Sequence, residues 1–218
     1  MSTTRFKGVI FDVDGTLSST NELIFASFNH VAEKYLHKTL SDEEIIALFG
    51  PPENEILETL FPEIHLKVRE DYYKYYKDNH SLANLYEGLM PLIQQLKKEG
   101  VILGIFTGKG RVATEITLRE LDIFSYFSLL ISGDDVIKHK PSGEGIQRFL
   151  DQFSLSPDDV LMIGDAPPDI YAARETGVHI ASVVWDSYAK DKVLALNPEY
   201  AFDTVEELKN FIYEEQPV

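Results

Sequence analysis

Apolar positions cluster into short, near-continuous runs along the chain. Gly8-Val9-Ile10, Val101 to Phe106, Ser128 to Ile131, Val160 to Ile163 and His179 to Trp185 each read as a buried strand. Between them lie stretches of helical period, such as Leu89, Leu92, Ile93 and Leu96, stopped by Gly100. Strands without polar alternation, separated by helices, predict a parallel sheet covered on both faces. The fold class expected is therefore α/β, a doubly wound parallel-sheet (Rossmann-like) core. Ligands of such sheets bind beyond the carboxyl ends of the strands.

The segment from about Asn21 to Ala83 breaks this rhythm. Ile24, Phe28, Val31 and Tyr35 form one helical stripe. Ser41-x-x-Glu44 forms a capping box ahead of Ile45, Ile46 and Phe49. After Pro51-Pro52, Ile56, Leu57 and Leu60 resume the pattern, and Val68, Tyr72, Tyr75 and Tyr76 continue it. This is too much chain for one crossover helix, so a small helical bundle inserted as a mobile lid is expected. The predicted division is 1-17 and 86-218 for the core and 18-85 for the helical cap. Tyr72, Tyr73, Tyr75 and Tyr76 could line a pocket, but packing helix on helix is the favoured reading. Gly50-Pro51-Pro52 is the better candidate for facing the site.

Chemistry gathers just after the strands. The first run ends in Phe11-Asp12-Val13-Asp14-Gly15-Thr16. Residues two apart in a strand point the same way, so Asp12 and Asp14 start out facing alike, and a turn at Gly15 can swing them apart. Two such carboxylates repel unless a cation lies between them, and aspartate oxygens suit hard Mg2+. A calcium loop is the bland alternative, but Leu23 stands where its closing Glu would be. Later strands end in Thr107-Gly108-Lys109-Gly110 and Gly164-Asp165-Ala166-Pro167-Pro168-Asp169, while Lys140-Pro141 follows the third.

Asp12-Val13-Asp14-Gly15-Thr16, Thr107-Gly108, Lys140-Pro141 and Gly164-Asp165-x-x-x-Asp169 resemble, in order, the four motifs of the haloacid dehalogenase-like hydrolases. The likeness spans nearly the whole chain and is strongest to the phosphoglycolate phosphatase-like branch, whose helical cap follows the first motif. It implies that Asp12 is a nucleophile forming an aspartyl-phosphate and that Asp14 is the general acid and base. It implies Mg2+ held by Asp12, the Asp14 carbonyl and Asp165, with Asp169 as a ligand or a partner of one. Thr107 and Gly108 would bind the phosphoryl oxygens, and Lys140 would offset charge. From their position after Thr107, Lys109 and Arg111 are candidates to touch substrate, with solvated helix-start residues as the equal alternative. An acid at position 14 disfavours the carbon–halogen and carbon–phosphorus branches. The activity implied is hydrolysis of a small phosphomonoester, phosphoglycolate-like or a sugar phosphate. A phosphomutase of the β-phosphoglucomutase type or a non-catalytic phospho-ligand binder are the alternatives. Two departures stand out: Ala166 where a hydroxyl residue is usual, and Leu17-Ser18-Ser19-Thr20 at the cap entrance, where an acid is common.

Composition narrows the partners. Among 218 residues, 36 acids against 20 Lys and Arg give a formal net charge of -16, which disfavours nucleic acid. No cysteine is present, so neither disulfides nor thiol chemistry enter. No signal peptide or membrane span is read, and a cytoplasmic monomer or homodimer acting on a small phosphorylated metabolite is expected. Arg111 and Lys138 are further basic residues of the site region. The six histidines read as structural or surface groups, and the acidic tail ending at Val218 as a frayed end.

Overall fold

A computed structural model describes residues 4–213; of the tail from Tyr213 to Val218 expected to fray, Tyr213 instead closes a helix, and residues 214–218 lie outside the described ones. Six strands form one parallel sheet: β1 (Gly8–Phe11), β4 (Ile102–Phe106), β5 (Leu129–Ile131), β6 (Val160–Gly164), β7 (His179–Val183) and β8 (Tyr200–Phe202), in the order β5-β4-β1-β6-β7-β8. Between β1 and β4 in sequence stands a two-stranded antiparallel ribbon of β2 (Ser18–Ser19) and β3 (Asn84–Leu85). The order reverses at β1, whose neighbours are β4 and β6, so the carboxyl end of β1 opens at the switch point. The architecture is the expected doubly wound one. The edge strand β8 is an addition, too short to carry an apolar run.

Alternate residues explain why both faces are covered. Val9 and Phe11, Leu161 and Ile163, and Ala181 and Val183 enter one buried cluster. It includes Leu92, Ile93 and Leu96 of α5 (Leu89–Lys98) and Leu208 and Ile212 of α10 (Val205–Tyr213). Ile10, Met162 and Ile180 face the other way. They meet Ile146 and Phe149 of α7 (Glu144–Phe153) and Ile170 of α8 (Pro167–Thr176). Phe149 presses on the sheet where Gly104 leaves room: a Cβ there would lie 2.6 Å from its ring. Pro167 and Pro168 open α8, where a missing amide hydrogen costs nothing.

Helices α1 (Asn21–Leu36), α2 (Asp42–Ile46), α3 (Glu53–Leu60) and α4 (His65–Asp78) build a third apolar cluster from Leu23, Phe28, Val31, Ile45, Leu57 and Tyr72. Ser41 and Glu44 make the reciprocal capping box at the start of α2. Ala113 of α6 (Arg111–Glu120) joins this cluster, and Tyr76 and Thr117 share a hydroxyl hydrogen bond of 2.8 Å. The bundle therefore packs on a helix of the sheet layer. Ser18 and Ser19, paired with Leu85 and Asn84, hold together the two places where the chain passes between bundle and sheet.

Candidate active site

Asp12 leaves β1 with its amide bonded to the Ile163 carbonyl at 2.9 Å, which fixes the backbone beside β6. Gly15, at φ +77°, then turns the chain so sharply that a Cβ there would lie 2.5 Å from an Asp165 carboxylate oxygen. The turn separates the two acids. Asp12 stays with Asp165 and Asp169, their carboxylate oxygens all within 4.8 Å of one another. Asp14 points elsewhere: it accepts both Lys109 Nζ bonds, at 3.0 and 3.1 Å, and a hydrogen bond from Thr20.

Lys140 Nζ lies 3.2 Å from Asp12 Oδ1 and 2.5 Å from Asp169 Oδ1, over the Phe106 ring. The Ala166 amide donates to Asp169 Oδ2 at 3.1 Å, so Asp169 is held although residue 166 has no hydroxyl. Thr16 donates to Asp165 Oδ1 at 3.2 Å. Burial pushes the Asp12 carboxyl up to about 6, with Asp169 and Asp14 adding and Lys140 and Thr107 opposing. Burial, then Asp12 and Asp169, hold Asp165 well above the usual carboxylate range. For Lys140, burial works against the charge, but Asp12 and Asp169 more than offset it and raise its pKa.

One lysine among two buried acids and the half-buried Asp165 leaves an excess of negative charge. Asp12 Oδ1 is buried, and its ion pair with Lys140 at 3.2 Å is not matched by a hydrogen bond of good geometry. An all-oxygen, electron-rich trio fits a hard divalent cation. Thr107, on the neighbouring β4 end, faces the same cavity with Gly108. The two halves of the site thus come from adjacent strands.

Lys109 lines the cavity, against the solvated reading. It is not a solvated helix-start residue but is buried, at 8 % exposure, with its ammonium over the Tyr76 ring and on Asp14. Burial lowers its pKa, yet Asp14, Tyr76 and Glu53 together more than compensate and hold it above the usual lysine range. Arg111 turns away to Asp135 and the Leu130 carbonyl, and Lys138 is exposed and lines no part of the cavity. His80 is buried edge-on against Tyr76, a structural placement.

A cavity of about 360 Å3 connects these groups to the bundle. Gly50 and Pro51 line it as expected but Pro52 does not; Tyr72 lines it against the favoured packing reading, while Tyr76 is fully buried away from it. Glu53 escaped the sequence reading. Its buried carboxylate accepts from the Gly110 amide at 2.8 Å and the Tyr73 hydroxyl at 3.1 Å, tying α3 to the start of α6. Burial raises its pKa against the opposing pull of Lys109 and the Gly110 amide. A single glutamate in a helical stripe carries no signal of this in sequence. Thr20, at the cap entrance, likewise gave none.

Comparisons with known proteins agree with this geometry. The sequence profile described as "Haloacid dehalogenase-like hydrolase" matches residues 9–183. Pyrophosphatase PpaX of Bacillus mycoides is 33 % identical over 209 residues, covering 94 % of this chain and 95 % of that one. A solved structure titled a "predicted phosphoglycolate phosphatase", from Haemophilus somnus, superposes with a TM-score of 0.81 at 22 % identity, covering 95 % and 98 % of the two chains. CbbY from Rhodobacter sphaeroides, solved in complex with phosphate, gives a TM-score of 0.79 at 20 % identity over 93 % and 96 %. With four motifs gathered at one sheet end and the profile covering most of the chain, this protein belongs to the haloacid dehalogenase-like hydrolase family.

Proposed function

We propose that this hydrolase is a Mg2+-dependent phosphatase that cleaves a small phosphomonoester through an aspartyl-phosphate on Asp12. One observation carries the reading: Lys140 joins Asp12 to Asp169 beside Asp165, at the switch point and next to Thr107. That arrangement supplies a nucleophile, a charge partner and an anion cradle within one cavity. The relatives' names, a pyrophosphatase and a predicted phosphoglycolate phosphatase, support phosphorus–oxygen cleavage.

Asp12, Asp165 and Asp169, with the Asp14 carbonyl, would hold Mg2+, which when bound offsets phosphoryl charge. An Asp12 carboxylate oxygen attacks phosphorus. The bond from phosphorus to the leaving oxygen breaks, and Asp14 gives that oxygen its proton. Water then attacks the aspartyl-phosphate, Asp14 takes the water's proton, and the Asp12–phosphorus bond breaks to release phosphate. Lys140 keeps Asp12 aimed and compensates its charge, while Thr107 and the Gly108 amide bind the phosphoryl oxygens. Lys109 acts mainly as a positioning residue for Asp14, its ammonium already committed to that carboxylate. Residues 18-85 serve as a lid, excluding water while the leaving group departs.

The test is Asp14→Asn with acetyl phosphate and Mg2+. Slowed second-step chemistry should let phosphorylated protein accumulate, seen by intact mass, and phosphate should appear as a burst followed by a slow phase. Asp12→Asn should give no such adduct. Unchanged turnover by Asp12→Asn would overturn the covalent route, as would an adduct mapped to another residue.

A further inference from the structure

The cavity is divided between two chemistries. Its core end holds Asp12, Asp165, Asp169, Lys140 and Thr107. Its cap wall is built from Ile24, Phe28, Ile46, Phe49, Ile56 and Tyr72. Resting on the phosphatase reading above, we infer that the leaving group is an uncharged alcohol with an apolar, ring-sized face, and is neither a second phosphate nor a carboxylate.

The charges lining the cavity decide against an anionic leaving group. Among the described residues lining the cavity, the cations are Lys109, Lys140 and Lys192. Lys140 is committed to Asp12 and Asp169, and Lys109 to Asp14. Lys192 is exposed on α9 (Lys190–Ala195), a solvated side chain rather than a buried clamp. No arginine among the described residues lines the wall. The charged group that the cap itself contributes is a carboxylate, Glu53, 7 % exposed. A second phosphate or a glycolate carboxyl would lose its hydration against hydrocarbon and face that carboxylate, with no fork of donors to replace water.

Shape and surface favour an apolar group. Phe28 and Tyr72 lie with ring centroids 5.1 Å apart, and Phe25 links Phe49 to Tyr188 at 6.3 and 6.2 Å. Of these rings, Phe28, Phe49, Tyr72 and Tyr188 line the cavity. A volume of about 360 Å3 exceeds what one phosphoryl group fills and lies in the range of pockets that enclose organic ligands. Glu53 still has acceptor capacity toward a hydroxyl on such a group, because each of its oxygens receives one hydrogen bond. The relatives' names, pyrophosphatase and predicted phosphoglycolate phosphatase, imply small anionic leaving groups, so the specificity inferred for this chain differs from theirs.

The test compares kcat/KM for 2-phenylethyl phosphate, ethyl phosphate, glucose 6-phosphate, phosphoglycolate and pyrophosphate, each with Mg2+. The first two share an aliphatic leaving oxygen, so their ratio isolates the apolar wall. We expect 2-phenylethyl phosphate to exceed ethyl phosphate, phosphoglycolate and pyrophosphate by about tenfold or more, the scale at which apolar pockets discriminate. Phe49→Arg places a cation on the wall at a position already 43 % exposed, so the chain tolerates it. It should shift the ratio of 2-phenylethyl phosphate to pyrophosphate about tenfold toward pyrophosphate. Preference for pyrophosphate, phosphoglycolate or glucose 6-phosphate by the parent enzyme overturns this inference while leaving the phosphatase reading intact. No phosphate release from any substrate, acetyl phosphate included, overturns the phosphatase reading itself and the inference with it. An unshifted ratio in Phe49→Arg, with folding verified by thermal denaturation, removes the cap wall as the determinant.

Discussion

At the residue scale, Asp12 is held in a state that favours chemistry over stability. Its carboxyl rises from an ordinary 3.8 to about 6, with burial as the largest cause. Since the folded value lies above the unfolded one, folding takes up a proton as the pH falls through that window. The penalty for charging Asp12 is therefore absent in acid, grows as pH rises from about 4 to about 6, and is complete above. Asp12→Asn removes it, and Lys140 keeps Asp169 as a partner. In metal-free protein at pH 7.5, Asp12→Asn should be more stable than the parent by on the order of 1–3 kcal/mol, and near pH 4 the advantage should vanish. Urea unfolding at the two pH values measures this. The same variant should lose on the order of a thousandfold or more in kcat. A destabilised variant at pH 7.5 would contradict the burial penalty on which this rests.

Two glycines separate local backbone effects from the seating of the cap at the scale of elements. A Cβ on Gly133, just after β5, would lie 2.5 Å from Pro52 Cγ and 2.6 Å from the Gly108 carbonyl oxygen. One is the cap loop and the other the backbone of the phosphoryl cradle, so neither can yield without moving the site. Gly133→Ala should lower kcat/KM about tenfold or more and destabilise by about 1–3 kcal/mol, the usual range for overpacking. Gly100, between α5 and β4, has φ +83° and nothing within 4 Å of its Cβ position. Gly100→Ala should cost about 1 kcal/mol through the left-handed backbone alone and leave kcat/KM unchanged. Steady-state kinetics beside thermal denaturation distinguish them, and equal kinetic effects of the two would deny the cap loop its place at the site.

For the whole molecule, the clustered carboxylates couple stability to metal. Asp12, Asp165 and Asp169 repel one another in a chain whose net charge is -16. A divalent cation that binds only the folded state at 100 times its Kd adds about 2.7 kcal/mol. For a chain of this size that corresponds to a rise in Tm of about 5–10 °C. Chelation should reverse the rise and abolish activity, and Asp165→Asn should show little of either response. A Tm indifferent to Mg2+ in the parent, measured by scanning calorimetry, would contradict the metal assignment. No helix among the described residues is long and apolar enough to cross a membrane.

Some of this follows from sequence because local patterns have local causes. Strands β1, β4, β5, β6 and β7 are apolar runs because both faces of a parallel sheet are buried, and the capping box at Ser41 is complete within one turn. The gathering of Asp12, Thr107 and Asp165 was legible because each stands just past a strand, and parallel strands bring such positions to one end; Lys140, nine residues beyond β5, was legible through the family motif alone. The divergence of Asp14 from Asp12 was legible as far as the turn at Gly15. Its partners, Thr20 and Lys109, lie on separate segments and meet only when the bundle packs against α6. Strand β8 and the ribbon of β2 and β3 were hidden because runs of three or two residues carry no period. Glu53 was hidden for a different reason: its meaning lies in the Gly110 amide and the Tyr73 hydroxyl, far along the chain. Sequence alone determined the sheet, the helical insertion and the acids at the strand ends. Tertiary packing decided which cap side chains close over those acids, because that depends on contacts between segments that no local pattern encodes.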